Sequence, residues 1–302
     1  MKAIFKNTSL ATICRLFGKS REAWYDVHDR KDHSVIQQEL ILSWVREIRT
    51  ILPVTGTVKL LHLLQDKFIH HGIHIGRDAL HALLDKHDLL IESKKRYMIT
   101  TNSHHHYRRW PDMVQRRQPY LAEQIWVSDI TYLRTNQGFI YLFLITDAYS
   151  RKIVGYHLSQ TLRASGCLRA IEKAMKERVY PQRPLIHHSD RGIQYCCDAY
   201  ISLLRRYHIA ISMTQSGSPY DNAIAERVNG ILKTEFGLYK SFESYAQAVD
   251  RVCQAIAKYN YIRPHLSCQL LTPQSKHVNE NNLRKEYFIT DVKFNPYGFY
   301  RL

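Results

Sequence analysis

Apolar residues recur at helical spacing in the first part of the chain and predict a series of short helices. Over about residues 8–28, a short amphipathic segment is followed by a turn at Gly18 and by a second helix that Ser20 would cap. A separate helix is predicted over residues 34–51. It is expected to end there because Pro53 cannot continue a helix. This is the order of a helix-turn-helix module followed by a further helix.

The same order recurs over about residues 54–91, where two amphipathic segments flank a turn marked by Gly72 and Gly76. Each arrangement fits either a DNA-binding helix-turn-helix or a plain helical hairpin, and the repetition favours DNA binding. We therefore predict an all-α DNA-binding region at residues 1–91. Three basic residues at its predicted second helices are candidate DNA contacts: Lys19, Arg21 and Arg77.

From Ile125 onwards the periodicity changes to that of a sheet. Three stretches rich in β-branched and aromatic residues predict antiparallel strands: IWVSDITYLR, GFIYLFLITDAYS and RKIVGYHLS. There follow a helix over about residues 163–179, a short strand at PLIHHSD, a helix at YCCDAYISLLRRYH, a strand at IAISMTQ and a last helix at DNAIAERVNGILKTE. This order predicts a mixed α/β sheet with helices on its faces, at residues 122–275.

The charge of the chain narrows the class of partner. Its 302 residues include 43 Lys and Arg against 27 Asp and Glu, and the resulting net charge of +16 favours a polyanion such as DNA. The longest strongly apolar run, at 139–145, is far shorter than the roughly 20 residues that span a bilayer, and no signal peptide is indicated. The six scattered cysteines are typical of a reduced, cytosolic protein.

Residues 92–121 form a basic, weakly patterned segment between the two predicted regions. They are interpreted as a linker that follows a phosphate backbone or as a merely solvated linker. Its basic residues are Lys94, Lys95, Arg96, Arg108, Arg109, Arg116 and Arg117.

Three acidic residues lie where one sheet would bring them together. Asp129 falls within the first strand, Asp190 ends the fourth, and Glu226 lies near the start of the last helix. Clustered carboxylates repel one another unless hard cations lie between them, and Mg²⁺ takes such oxygen ligands. Two such ions would suit phosphoryl transfer. From periodicity alone, a metal-binding triad and three separate surface or capping residues remain about equally open.

The last helix has a polar side that fits such a site. Asn222, Glu226, Asn229 and Lys233 follow one another at i, i+4, i+7 and i+11. Lys233 is thereby placed on the same side as Glu226, where it would contact a DNA phosphate near the metals. The opposite side is apolar and consists of Ile224, Val228, Ile231 and Leu232.

Together these motifs resemble the integrase-like transposases of bacterial two-frame insertion sequences, and specifically the downstream-frame protein. The resemblance rests on WVSDITYL, HHSDRGIQY, DNAIAERVNGILKTE and YNYIRPHLSCQLLTP. Sixty residues separate Asp129 from Asp190, and 35 separate Asp190 from Glu226. The second spacing, with Lys233 seven residues after Glu226, is specific to this family and to retroviral integrases.

The resemblance implies a ribonuclease H-like catalytic core that cleaves the element's ends and transfers the strands to a target. Asp129, Asp190 and Glu226 would be the catalytic, metal-binding triad, with two Mg²⁺ ions for which Mn²⁺ can substitute. Lys233 would contact DNA. The family's motifs contain three further residues that would position the DNA end: His188, Asn222 and Arg191.

The family pattern also implies partners. A homo-oligomer, at least a dimer, would bind double-stranded DNA as terminal inverted repeats and as target, and the need for an upstream-frame protein stays open. Arg227 replaces the family's usual serine and is either a phosphate contact or a surface residue. No role is assigned to residues 276–302. The post-catalytic signature is expected to have structural and DNA-contacting roles and consists of Tyr259, Asn260, Arg263, Pro264 and His265.

Two other functions remain open. A nuclease of the same fold would cleave DNA without joining it, and a DNA-binding regulator would use a catalytically silent core as a scaffold. The intact triad argues against a regulator, because an idle core has no physical reason to keep three clustered carboxylates.

Overall fold

The chain forms two compact units, Met1–Glu92 and Ser93–Leu302. The computed structural model describes residues 9–91, 110–115, 117–215 and 222–278. All the basic residues of the predicted linker except Arg117, and nearly all of the tail beyond residue 275, lie outside these described residues. Within the described ranges, no helix is both long enough and apolar enough to cross a bilayer.

The N-terminal unit begins with helices α1 (Leu10–Leu16) and α2 (Arg21–Ile51). The predicted cap is confirmed, because the Ser20 hydroxyl accepts a hydrogen bond of 3.0 Å from the backbone N–H of Ala23. The prediction of a separate helix at 34–51 is wrong, since α2 is continuous over 31 residues. This stretch contains neither Gly nor Pro, so its polar residues interrupt the apolar pattern without interrupting the backbone hydrogen bonds.

Three shorter helices complete this unit: α3 (Thr57–Leu63), α4 (Gln65–His70) and α5 (Arg77–Lys86). Gly72, at φ +62°, turns the chain between α4 and α5, and Gly76 is the N-cap residue of α5. The helices enclose an apolar core that includes Leu42, Val45, Leu60, Leu64, Leu80 and Leu84.

A five-stranded mixed sheet forms the centre of the second unit. Its strands are β1 (Ile125–Thr135), β2 (Gly138–Asp147), β3 (Ile153–Ser159), β4 (Ile186–Ser189) and β5 (Ala210–Met213). Their order is β3-β2-β1-β4-β5, with β1 antiparallel to β2, β2 antiparallel to β3, and β4 and β5 parallel to β1. The mixed α/β sheet is therefore confirmed, with the three antiparallel and two parallel strands of a ribonuclease H-like core.

Helices cover both faces of this sheet. One face carries α6 (Ala164–Lys176), α7 (Ile193–Cys196) and α8 (Asp198–Arg206), and the other carries α9 (Ala223–Glu235) and α10 (Tyr245–Tyr261). The apolar side of α9 packs on the sheet as predicted through Val228, Ile231 and Leu232, whereas Ile224 is only half-buried. The polar side of α9 contacts β1 through Asn222 and Asn229.

The segment after α10 is attached to the core by buried polar contacts. It includes a 3₁₀ turn (Leu266–Cys268) and α11 (Pro273–Val278). Asn260 exchanges two hydrogen bonds of 2.9 Å with the backbone of Ile153 at the start of β3. Arg263 binds Glu235 through two bonds of 2.6 Å. These contacts support the structural role expected of the signature, because they attach the end of α10 to the sheet and to α9.

Candidate active site

The register of β1 and β4 brings two acidic residues side by side. Ser128 on β1 pairs in parallel with Ser189 on β4. The next residues along the chain, Asp129 and Asp190, are therefore neighbours. Asp190 comes immediately after β4, and its Oδ1 accepts a hydrogen bond of 2.9 Å from the N–H of Gly192. Asp129 lies in the middle of β1, which runs on beyond the end of β4.

Two hydrogen bonds hold the carboxylate of Asp129. Its Oδ1 accepts from the N–H of Ile130 at 2.9 Å, and its Oδ2 accepts from Nδ2 of Asn229 at 2.7 Å. Burial is the main cause that raises the pKa of Asp129 to about 7; the charge of Asp190 is the second and that of Glu226 a smaller one, while both hydrogen bonds act in the opposite direction. A cation would relieve this repulsion.

Helix α9 places Glu226 in its first turn, where the side chain is exposed. The pKa of Glu226 is raised, first by partial burial and second by the charge of Asp190. Asn222, immediately before the helix, donates a hydrogen bond of 2.9 Å from Nδ2 to the carbonyl of Ser128. Asn229 contacts β1 on the other side of Glu226. The helix is therefore attached to β1 both before and after Glu226.

The donor set of this site fits a divalent cation. Among the described residues, no three His, Cys, Asp or Glu side chains are gathered closely enough to hold a metal ion as they stand. Three carboxylates are nevertheless the hard oxygen ligands that Mg²⁺ and Mn²⁺ prefer. The Oδ1 atoms of Asn222 and Asn229 are buried and have no hydrogen-bond partner within the described ranges. They can accept hydrogen bonds from water, including water bound to an ion.

Two residues predicted to position DNA are buried instead. His188 is fully buried, and its Nδ1 lies 2.8 Å from the hydroxyl of Ser212 on β5. Asn222 is 6% exposed, and its amide donates to Ser128. In this structure both side chains bind other parts of the core, and DNA contact by either one stays a prediction. His188 joins β4 to β5, and Asn222 joins α9 to β1.

The other candidates near the triad are accessible. Lys233 is half-buried, with its Nζ 4.9 Å from the centre of the Tyr132 ring. Burial lowers the pKa of Lys233, while the charge of Asp129 acts in the opposite direction. Arg191 is half-buried and Arg227 is exposed. DNA contact by these three basic residues stays a prediction.

In the N-terminal unit, Lys19, Arg21 and Arg77 are all exposed. Lys19 and Arg21 lie at the junction of α1 and α2, and Arg77 begins α5, where it also forms an ion pair of 2.8 Å with Asp78. Their exposure is compatible with phosphate contact, which likewise stays a prediction.

Asn229 belongs to the site although it was not predicted as a site residue. Its spacing placed it on the polar side of α9 with Glu226, and that was the available signal. An asparagine on an amphipathic helix has many possible partners, so only the packing of α9 on β1 identifies Asp129 as the one it binds.

Comparison with known proteins gives two family matches. The chain matches the family model described as Integrase core domain over residues 119–219, and a second model of the same description over residues 207–273. The two matched ranges contain Asp129, Asp190 and Glu226.

Three similar curated proteins come from insertion elements. The "Insertion element IS600 uncharacterized 31 kDa protein" of Shigella sonnei is 32% identical over 266 residues, which cover 86% of this chain and 96% of that protein. The "Putative transposase for insertion sequence element IS986/IS6110" of Mycobacterium tuberculosis (strain CDC 1551 / Oshkosh) is 38% identical over 169 residues, or 54% of this chain and 61% of that protein. "Transposase InsF for insertion sequence IS3A" of Escherichia coli (strain K12) is 36% identical over 152 residues, or 50% and 52%.

Solved structures of retroviral proteins are also similar to this chain. The HTLV-2 integrase catalytic core domain in complex with magnesium (trimeric form) has a TM-score of 0.43 and 18% identity, and the match covers 53% of this chain and 99% of that one. The simian T-cell lymphotropic virus intasome in complex with PP2A regulatory subunit B56 gamma has a TM-score of 0.49 and 17% identity, with coverage of 82% and 79%.

Proposed function

The chain belongs to the integrase-core family of insertion-sequence transposases, and on that premise we propose that it cleaves DNA at the ends of an insertion sequence and joins those ends to a target. The observation that supports this most directly is the pairing of β1 with β4, which brings Asp129 beside Asp190. The attachment of α9 to the same strand adds Glu226 from the third element.

Each step of the proposed reaction exchanges one phosphorus–oxygen bond for another. In cleavage, a water oxygen attacks the phosphate at the element's end, and the bond to the leaving 3′ oxygen breaks. In joining, the freed 3′-hydroxyl attacks a target phosphodiester, whose own 3′ oxygen leaves. No covalent enzyme intermediate is required, so the protein's task is to position the reactants and to stabilise charge.

The triad would hold the metal ions, with Asp129 oriented by Asn229 and with α9 attached beside it by Asn222. Two Mg²⁺ or Mn²⁺ ions held there would supply activation of the attacking oxygen and stabilisation of the leaving oxygen. Lys233, on the same side of α9 as Glu226, would bind a phosphate. Arg191 and Arg227 would add charge for the same strand.

The proposed activity also defines partners. Two element ends have to meet in one complex, so we expect a homo-oligomer, at least a dimer, on double-stranded DNA. Exposed Lys19, Arg21 and Arg77 of the N-terminal unit would bind the terminal repeats. An upstream-frame protein would be needed only if this chain alone fails to recognise the ends. The substrate of this transposase would be double-stranded DNA, so we expect the protein in the bacterial cytoplasm, at the nucleoid.

The test is joining of a labelled terminal-repeat DNA to a plasmid by the purified protein, with Mg²⁺ and with EDTA. Glu226→Gln keeps the size of the side chain and removes the charge that a metal ligand needs. We expect wild type to form joined product only with Mg²⁺, and Glu226→Gln to bind DNA normally while forming none. Glu172→Gln, at an exposed glutamate of α6, is the matched control and should join as wild type does.

The other outcomes separate the remaining functions. Cleavage without joining would favour a nuclease of this fold. DNA binding without chemistry, even after an upstream-frame protein is added, would favour a regulator. Full joining by Glu226→Gln would exclude Glu226 as a metal ligand.

A further inference from the structure

Four side chains form a continuous row in which Lys233 of α9 meets three residues of the β1–β2 hairpin. The Nζ of Lys233 lies 4.9 Å from the centre of the Tyr132 ring. The Tyr132 ring contacts the Phe139 ring edge-to-face, with centroids 5.3 Å apart. The guanidinium carbon of Arg134 lies 5.7 Å from the centre of the Phe139 ring. We name this set, Lys233–Tyr132–Phe139–Arg134, the cation–aromatic row.

The row lies along β1 beyond Asp129 and extends towards the turn between β1 and β2. Tyr132 and Arg134 follow Asp129 on β1 by three and five residues. At about 3.3 Å per residue, they lie roughly 10 and 17 Å from Asp129 along the strand. β4 pairs with β1 only as far as Ser128, so the row occupies the part of β1 that β4 does not reach.

The chemistry of the row matches a single nucleic-acid strand. A positive charge stands at each end, and the aromatic side chain nearer the hairpin turn, Phe139, is 49% exposed. Binding sites for single-stranded DNA combine cationic groups, which follow the phosphates, with aromatic rings on which bases stack. Bases inside a duplex are stacked on their neighbours on both faces, so only the outer face of a terminal pair is free for such a ring.

We propose that the cation–aromatic row binds unpaired nucleotides of the DNA strand that enters the active site. This rests on the proposed function, because the triad defines where the reacting phosphate lies. At roughly 3.4 Å per stacked nucleotide, the distance from Asp129 to the far end of the row corresponds to about five nucleotides. The site would therefore act on ends whose terminal base pairs are opened.

The competing explanation is that the four side chains only stabilise the hairpin. Arg134 and Phe139 are direct cross-strand partners, and such pairs stabilise sheets without any ligand. The two explanations predict different behaviour for the variant Phe139→Leu. Leucine keeps an apolar contact across the hairpin but offers no aromatic face to a base.

The test measures the affinity of the full-length protein, by fluorescence anisotropy, for two duplexes of the element's end sequence. One is blunt, and the other carries about five unpaired thymidines, enough to span the row. We expect wild type to bind the tailed duplex roughly tenfold more tightly. Phe139→Leu should lose that preference, keep its affinity for the blunt duplex and keep the thermal unfolding midpoint of wild type. Tyr261→Ala, at an aromatic residue that is 61% exposed outside the row, should retain the preference.

Equal affinity of wild type for both duplexes, or an unchanged preference in Phe139→Leu, would overturn the proposal and leave the row as hairpin packing. If joining of terminal-repeat DNA still occurs in that case, the proposed function stands without the row. If wild type binds neither duplex and joins nothing, the proposed function fails together with the row.

Discussion

The amide of Asn229 donates a hydrogen bond of 2.7 Å to Oδ2 of Asp129, from α9 to the middle of β1. Asn229 is 6% exposed and lies three residues after Glu226 on the same helix. This contact therefore orients one carboxylate of the triad and fixes its position relative to the helix that carries another.

Replacing Asn229 with alanine is expected to lower the joining rate by roughly 10- to 100-fold, because partners that orient metal ligands commonly contribute that much to metal affinity or activity. The dependence of joining on Mg²⁺ concentration should shift to higher concentrations, while DNA affinity changes little. Thr234→Ala, at an exposed position of the same helix, is the control. An unchanged Mg²⁺ dependence in Asn229→Ala would show that Asp129 needs no such orientation.

Lys19 and Arg21 are expected to bind DNA phosphates without regard to base sequence. Changing both to glutamine should weaken DNA binding and reduce the slope of log affinity against log salt concentration by roughly 0.9 for each phosphate that the protein no longer neutralises. The measurement is a salt titration of terminal-repeat binding. Arg46→Gln, at an exposed position further along α2, is the control. Equal slopes in the double variant and in wild type would exclude both residues from the DNA interface.

The ion pair between Arg263 and Glu235 is expected to stabilise the core that carries α9. Arg263 is 4% exposed, and its two bonds to Glu235 are 2.6 Å long. Arg263→Met should lower the free energy of unfolding by about 3 kcal/mol, since it leaves a partly buried carboxylate without its partner. Urea unfolding measures this change.

The double variant Glu235→Leu/Arg263→Met is the informative control for this pair. It should recover much of the stability that Arg263→Met removes, because no charge is then left unpaired. A decrease below about 1 kcal/mol in Arg263→Met would mean that the pair behaves like a solvated surface pair.

A buried histidine on α11 should make stability depend on pH. His277 lies between two carboxylates: its Nε2 is 3.4 Å from Oε1 of Glu123, and its Nδ1 is 3.8 Å from Oδ1 of Asp147 and 2.9 Å from the hydroxyl of Ser150. Burial and the charge of Lys152 lower the pKa of His277, but the hydrogen bonds and charges of the carboxylates outweigh them and raise it above 6.5.

A histidine whose pKa is raised by folding stabilises the protein fully at pH values below its unfolded pKa of 6.5. This stabilisation is lost as the pH rises through the folded pKa. The opposite holds for Glu123. Burial alone raises its pKa, but hydrogen bonds from His277 and from the backbone outweigh burial and lower it below 4.5. Its contribution is therefore present above pH 4.5 and is lost below that value.

We therefore expect the combined contribution of His277 and Glu123 to the free energy of unfolding to be largest between pH 4.5 and 6.5. His277→Gln should lower stability at pH 6 and flatten the decline towards alkaline pH, as measured by urea unfolding across this range. His81→Gln, at an exposed histidine, should leave the decline unchanged. A decline of equal slope in His277→Gln would assign it to other groups.

Several features of the fold could be predicted because they depend on local periodicity. β-branched alternation identified β1, β2 and β3, and the 3.6-residue period identified the apolar side of α9. The same reasoning failed for α2, where polar residues interrupted the apolar pattern but the backbone contained nothing that ends a helix. An interruption of the apolar pattern indicates that one face of the helix meets a different environment. The end of a helix is indicated instead by residues that cannot continue its backbone, such as Gly and Pro.

The sequence by itself determined the order of strands and helices, the basic charge, and the spacing of Asp129, Asp190 and Glu226, since these are properties of local pattern and composition. Tertiary structure alone decided the partner of each polar side chain. It buried His188 against Ser212, turned Asn222 into a link to β1 and assigned Asn229 to Asp129. The reason is physical: burial strongly favours hydrogen bonding of a polar group, and the partner comes from whichever distant segment the packing brings within about 3 Å.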